Sequence, residues 1–233
     1  MANERPQTNQ YDEHFYDSHK TRTAYRVLAG FLRDVFGPKS AVDFGCGLGE
    51  TLRHLKDSGC DVCGIEGSES AKKISKIDIM VRDLNTSVSL GRKYDLAIST
   101  EVAEHLPESS ADQFVMNMVQ HSAGAIFFTA AQPGQAGVGH INCQPKSYWV
   151  NKFSKHGFTR SRFLEFCASI ALYPLIWDAY WIRDNALVFT HGKSYSFRAM
   201  KNLPKFVGSA AWWRLRGSRF GQYWSTKVPA KGS

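Results

Sequence analysis

No run among the 233 residues is apolar for the roughly 20 positions a membrane-spanning helix needs. The nearest approach, Phe166 to Trp177, covers twelve residues, is broken by Pro174 and is followed by Asp178. That length suits a lid over a substrate pocket or, as the alternative, a hairpin touching a membrane surface. The polar start, Met1 to Gln10, lacks a secretory signal, and five cysteines at 46, 60, 63, 143 and 167 form an odd, scattered set. Both features imply a reducing, cytoplasmic setting. Cys60 and Cys63 form a lone C-x-x-C with no second pair at zinc-ligand spacing, so they are expected as small core side chains and no metal site is expected. Internal repeats and low-complexity segments are also lacking.

Acidic residues are missing from one region altogether. Residues 193–233 hold Lys193, Arg198, Lys201, Lys205, Arg214, Arg216, Arg219, Lys227 and Lys231, with no Asp or Glu. The net charge of +8 therefore leaves 8 − 9 = −1 for the rest of the chain. The same stretch interleaves Tyr195, Phe197, Phe206, Trp212, Trp213, Phe220, Tyr223 and Trp224. Three readings stay open: aromatics packed on the domain with solvated charges, an anionic membrane surface, or a nucleic acid held by phosphate contacts and stacking.

What is present is centred on Ala41-Val42-Asp43-Phe44-Gly45-Cys46-Gly47-Leu48-Gly49-Glu50-Thr51, an apolar strand running into three alternating glycines and then a helix. Such a turn lets the backbone approach a nucleotide. A dinucleotide site, G-x-G-x-x-G/A, would want a small residue at position 50 beneath a pyrophosphate. Glu50 would repel it. A ligand without phosphate, carrying a cationic centre and an amino-acid end, fits better, and S-adenosylmethionine (SAM) is one. Asp43 is placed to act on its ammonium through water or backbone amides.

A second strand, Asp61 to Ile65, ends at Glu66, 66 − 45 = 21 residues past the first glycine, the spacing at which an acid takes both ribose hydroxyls. A third strand, Ile79-Met80-Val81, leads into Arg82-Asp83-Leu84, where Asp83 can accept from the adenine amino group and Leu84 can pack on the ring. A fourth, Tyr94 to Ser99, leads into Thr100-Glu101-Val102-Ala103-Glu104-His105-Leu106-Pro107.

In this order V-D-F-G-C-G-L-G, G-I-E-G-S, R-D-L and Y-D-L-A-I-S-T-E-V-A-E-H-L resemble the class I SAM-dependent methyltransferases. The likeness continues through Gly137 to Phe153, similar to a branch associated with small-molecule and cell-surface sugar methylation, and covers roughly residues 41 to 190. It implies that Asp43, Gly45, Gly47, Glu66, Asp83 and Glu101 line the cofactor pocket, with Cys46, Gly49, Gly67, Leu84 and Thr100 completing the candidate set. It also implies an antiparallel pairing at the far edge of the sheet.

The expected fold is α/β, a Rossmann-like, doubly wound, mostly parallel seven-stranded sheet with an antiparallel edge strand and a basic aromatic C-terminal extension. Expected divisions are an N-terminal helical segment over 1–40, a SAM-binding domain over 41–192 with an insert at 166–182, and the tail over 193–233. Helical spacing predicts a helix from Thr21 to Phe36, stopped by Gly37-Pro38. Another is predicted from Ser109 or Ser110 to about His121, and a third over Pro145 to His156 with Gly157 as its stop. Strands five to seven are predicted at Ala125–Thr129, Arg162–Phe166 and Asn185–Thr190.

The glycine-rich loop Ala130 to Gln144 can shape a substrate mouth. Methyl transfer asks mainly for alignment and exclusion of water, but a hydroxyl acceptor gains from a base of pKa near 7. His140 in that loop is the first catalytic candidate and His105 the second. Each has a structural alternative: His140 bonded to loop backbone, His105 fixing the turn after strand four. Asn142 and Gln144 can orient an acceptor or satisfy loop amides. The expected function is methyl transfer from SAM to a small-molecule, sugar or lipid-linked acceptor, on oxygen. Competing readings are a nucleic-acid methyltransferase and a non-catalytic SAM-binding scaffold. The first is disfavoured because Ser99-Thr100-Glu101-Val102 stands where base-amine methylation uses N/D-P-P-Y/F.

Overall fold

The computed structural model describes residues 23–173 and 179–225, with 211–225 described by backbone alone. The first helix, predicted from Thr21, is described from Thr23; residues 21 and 22, the segment 174–178 of the insert, and Lys227 and Lys231 lie outside the described residues. The elements are α1 (Thr23–Phe36), β1 (Ser40–Phe44), α2 (Glu50–Lys56), β2 (Asp61–Glu66), α3 (Glu69–Ile74), β3 (Ile79–Val81), β4 (Tyr94–Thr100), α4 (Ala111–His121) and β5 (Ser122–Thr129). They continue with α5 (Lys146–Ser154), β6 (Thr159–Arg160), α6 (Arg162–Ala171), α7 (Tyr180–Asn185), β7 (Leu187–Thr190) and α8 (Ser196–Ser225).

The seven strands form one sheet in the order β3-β2-β1-β4-β5-β7-β6. Strands β1 to β5 pair in parallel, and β7 runs antiparallel to both β5 and β6, which is the reversed pairing expected at that edge. The order reverses between β1 and β4, because β1 leads to β2 on one side while β4 lies on the other. A crevice opens at such a switch point, at the carboxyl ends of the strands.

Helices cover both faces, which is why the central strands are nearly continuous apolar runs. Alternate residues sort to opposite sides. Ala41, Leu96, Ile98, Ala125 and Phe127 meet α1, α2, α6 and α8 in one cluster. Val42, Phe44, Ala97, Ile126 and Phe128 meet α4 and α5 in the other. Phe127 and Phe128 are fully buried, and each such side chain contributes roughly 1.5–3 kcal/mol by leaving water.

The predicted sixth strand is overturned. Residues 162–166 open α6, and β6 is the short pair Thr159–Arg160. The cause is a helical stripe, Leu164, Cys167, Ala168 and Ala171, all buried at spacings of three and four, behind Ser161, whose hydroxyl caps the Leu164 N–H at 3.4 Å. Arg160 and Glu165 then pair at 2.7 Å across the strand-to-helix corner. The first half of the apolar insert is thus core helix, with Cys167 and Ala168 fully buried.

α8 is rooted on the domain by Ala199 and Phe206, which are buried in the first cluster, and by polar contacts to the end of α1. Arg198 Nε and Asn202 Nδ2 donate to the Asp34 carbonyl at 3.2 and 2.9 Å, and Lys205 pairs with the Asp34 carboxylate. Among the described residues no helix is long and apolar enough to cross a membrane.

Candidate active site

β1 ends at Phe44, and the chain then passes through Gly45, Gly47 and Gly49 at φ of 82°, 54° and 70°. All three are in the left-handed region that glycine tolerates and other residues resist. Space excludes a side chain as well: a Cβ on Gly45 would lie 2.4 Å from Val102 Cγ2, and one on Gly49 would lie 2.5 Å from Ile77 Cδ1. The turn is fastened to β2 by the Gly45 and Cys46 N–H groups, both donating to the Ile65 carbonyl.

Glu66, at the tip of β2, accepts from the backbone N–H groups of Gly47 (2.7 Å), Gly67 (2.8 Å) and Ser68 (3.2 Å). Burial raises its carboxyl above the usual range, and these three donors oppose the rise. Asp43, the last inward acid of β1, is almost wholly buried, and its Oδ1 has no hydrogen-bond partner. Burial first, and the nearby negative charge of Glu66 second, push its pKa up to about 7. Asp83 is exposed after β3 and accepts from the Asn85 N–H and side-chain amide at 2.9 and 2.8 Å. Leu84 is buried in the second hydrophobic cluster.

These ends surround a cavity of about 540 Å³. Of the sequence-predicted residues it brings together Gly45, Cys46, Gly47, Thr100, Glu101, His105 and His140 on one wall system. Asp43, Gly49, Glu66, Gly67, Asp83 and Leu84 are not on its lining; Gly49 is the last glycine of the turn, and Asp43, Glu66 and Gly67 belong to the strand ends that flank it. Glu50 does line it, but Arg53 donates to its carboxylate at 3.0 and 2.8 Å. The expected bare negative charge at position 50 is therefore partly neutralised, which weakens the charge argument against a pyrophosphate.

Beyond β4 the chain kinks at Glu101, the one non-glycine among the described residues with positive φ, at 54°. Its N–H is held by the Thr129 carbonyl and hydroxyl, and its carboxylate accepts from Asn185 Nδ2 at 3.1 and 3.3 Å. Strain of this kind concentrates at functional sites. Burial raises the Glu101 carboxyl, and the Thr129 and Asn185 side chains work against that rise.

Three residues on is Glu104, fully buried, with neither carboxylate oxygen meeting a donor in hydrogen-bonding geometry. Burial and the neighbouring Glu101 push its pKa up to about 8, although the backbone N–H groups of Glu104 and Ala131 pull the other way. Its carbonyl accepts from the Ile141 and Asn142 N–H groups, tying the glycine-rich loop to the end of β4.

That tie delivers His140. Its Nδ1 lies 3.2 Å from the Gln135 carbonyl and 3.6 Å from Cys143 Sγ, and its Nε2 lies 4.0 Å from Glu104 Oε1. The ring stands over Gly137, where a Cβ would come within 2.2 Å of it. His105 packs edge-on against His140 with centroids 4.9 Å apart, its Nδ1 3.2 Å from the Gly139 carbonyl. Burial leads the lowering of the His105 pKa. A carbonyl can only accept, so in the neutral rings both Nδ1 atoms carry the proton. Donor atoms of Glu104, His105 and His140 all lie within 4.8 Å of one another, close enough to share a divalent cation. The sequence reading weighed only cysteine spacing for metals and did not consider this trio.

Asn142 is buried, with its amide toward the Ala103 carbonyl and its Oδ1 accepting from Gln144 Nε2 at 3.0 Å, so both residues are engaged in the loop. Sequence reasoning missed Glu104 and Asn185, and on the cavity lining it also missed Tyr25, Tyr180 and Trp181. Glu104 carried a usable signal, a second acid in E-V-A-E-H; Asn185 carried none, since it reaches Glu101 across 84 residues.

A reversing seven-stranded sheet with a left-handed glycine turn after β1 and an acid at the tip of β2 is the class I methyltransferase architecture. The chain belongs to the methyltransferase-domain family, which matches residues 16–203. It is 28% identical over 121 residues to a protein named ubiquinone biosynthesis O-methyltransferase from Nitrosomonas europaea, an alignment covering 47% of each chain. The chain spans about half the length of the curated relatives it matches. Among solved structures, a sugar N-methyltransferase from a Streptoalloteichus species aligns with TM-score 0.60 at 15% identity, covering 83% of this chain and 97% of that one. DesVI of Streptomyces venezuelae aligns with TM-score 0.54 at 14% identity, covering 82% and 100%. At such identities the likeness to the solved structures is one of fold.

Proposed function

We propose that the cavity at the ends of β1 and β4 binds SAM and that the chain moves its methyl group to a small-molecule acceptor, a sugar or lipid-linked one, on oxygen. The observation that carries this reading is the buried, partnerless Asp43 Oδ1 on the strand end that runs into three left-handed glycines. A buried polar atom without a donor is costly unless a ligand completes it, and a turn lacking Cβ atoms offers the close approach that ligand needs. Family membership makes SAM the cofactor to test first.

The chemistry of the surrounding side chains supports the reading. SAM supplies an electrophilic methyl on a cationic sulfur. Asp43 suits its ammonium through the amides of the turn, Glu66 suits the ribose hydroxyls, and Asp83 suits the adenine amine. Glu101, held by Asn185, keeps the mouth of β4 in register. Glu66 also holds Gly47, so its removal loosens the turn and the ribose seat together.

On the acceptor side, His140 is the base. Its Nδ1 donates to the Gln135 carbonyl, which leaves Nε2 as the accepting nitrogen of the neutral ring. An acceptor hydroxyl in the glycine-rich loop gives up its proton there as the oxygen becomes nucleophilic, a contribution of about 10²- to 10⁴-fold in rate. The expected result for His140→Ala is a kcat lowered at least ~10²-fold with SAM affinity unchanged. Unchanged turnover in that variant would remove His140 from the reaction.

The relatives set the first acceptors for a screen. We choose a phenol and an amino sugar as the first pair, to set oxygen against nitrogen, after proteins named a ubiquinone biosynthesis O-methyltransferase and a sugar N-methyltransferase. Turnover of the phenol and not the amine supports transfer to oxygen; the reverse overturns it.

A further inference from the structure

α8 is apolar on two sides. One side, Ala199, Leu203 and Phe206, packs into the core. The other presents Phe197, Met200 and Val207, which are 79%, 55% and 49% exposed, together with exposed Pro204. Spacings of three, four and three put these four on a single exposed stripe that flanks the buried one, Met200 and Val207 lying three and four residues from Leu203. Nothing among the described residues covers it. Lys201 stands exposed beside the stripe.

Past Phe206 the helix continues to Ser225, which at 1.5 Å per residue is about 28 Å of further length. Arg214, Arg216 and Arg219 fall in that length, and 193–233 holds nine Lys or Arg with no acid, against −1 for the rest of the chain. The polar contacts of Arg198, Asn202 and Lys205 with Asp34 fix the root, so the stripe is held at a set angle to the domain.

We infer that α8 is an in-plane membrane anchor: its outer stripe sinks among acyl chains of an anionic bilayer while the lysines and arginines meet the headgroups. The occupant follows from charge and shape. A second copy of the chain would set two acid-free basic helices against each other and be repelled. A nucleic acid would satisfy the cations but leave Met200 and Val207 in water, since stacking uses flat rings. An anionic bilayer satisfies both, and a helix of this kind lies in the interface rather than crossing it. This inference stands apart from the SAM site and does not depend on it.

The test is flotation of the full-length protein with vesicles of phosphatidylcholine alone and of phosphatidylcholine mixed with phosphatidylglycerol, beside a titration of single-stranded RNA. The variants are Phe197→Ser/Met200→Ser, at exposed positions, and Lys201→Glu, with SAM binding and far-UV circular dichroism as readouts of an intact fold. Expected are capture by the mixed vesicles only, weakened by high salt, and at least ~10-fold weaker capture of Phe197→Ser/Met200→Ser at unchanged circular dichroism. Lys201→Glu is expected to weaken capture by several-fold, in keeping with about 1 kcal/mol per basic residue near an anionic surface. Vesicle capture of the double variant equal to the parent overturns the inference. So does RNA binding without vesicle binding, or the absence of both. Absence of SAM binding in the parent protein, with vesicle capture intact, would count against the cofactor site alone.

Discussion

Two buried carboxyls set the behaviour of the site at the scale of single residues. Glu104 has a pKa pushed up to about 8 and Asp43 one pushed up to about 7, each from an ordinary value near 4. Between those limits the folded chain holds protons that the unfolded chain has released. Stability must then fall as pH rises, by up to ~1.4 kcal/mol per pH unit while one such group titrates alone. The expected outcome is a Tm that declines from pH 6 to about pH 8 and levels off above it as Glu104 ionises in the folded chain, with a shallower decline in Glu104→Gln. A Tm that rises over that range would show that these carboxyls are ionised in the folded state. SAM affinity should move the other way. An ionised Asp43 favours a cationic ligand, so affinity measured by titration calorimetry is expected to strengthen from pH 6 to pH 8, and to lose that dependence in Asp43→Asn. At this scale the sequence exposes what is local: glycines at 45, 47 and 49 announce their left-handed turn, and Glu66 its place at a strand tip. It hides what is assembled from afar, such as the reach of Asn185 to Glu101 or the burial of Glu104 under the loop that carries His140.

Among the elements, β1 to β5 and α4 stand close to where periodicity places them, because each is specified by its own residues, although Ser110 ahead of α4 makes no side-chain cap and closes a 3-10 turn instead. Arg162–Phe166 shows where that logic fails. The five residues Arg-Phe-Leu-Glu-Phe mix polar and apolar side chains in a way a short window reads as a strand, whereas the burial of Cys167, Ala168 and Ala171 beyond the window makes the segment a helix. The helical account assigns opposite sensitivities to neighbouring positions. Ala168 is fully buried and faces the side of the core that α8 shares, so Ala168→Leu is expected to cost about 1–3 kcal/mol by overpacking. Phe166 is 54% exposed, so Phe166→Ser should shift urea unfolding by roughly 0.5 kcal/mol or less. Equal costs at both positions would contradict the helix.

For the whole molecule, the sheet reverses between β1 and β4, both faces are sealed by helices, and the crevice left at the strand ends gathers the glycine turn, the strained Glu101 and the two histidines around one cavity. The long basic helix α8 is attached to the same core, rooted on α1 through Asn202 and extending to Ser225. The central claim is that the crevice is a SAM site. The measurement that tests it most directly is isothermal titration of SAM and its demethylated product into the parent protein and Glu66→Ala, with NAD as the control ligand. The account predicts micromolar binding of both SAM and product, no binding of NAD, and a loss of at least ~10-fold, about 1.4 kcal/mol, in Glu66→Ala. NAD binding in place of SAM, or SAM binding that Glu66→Ala leaves untouched, would contradict it.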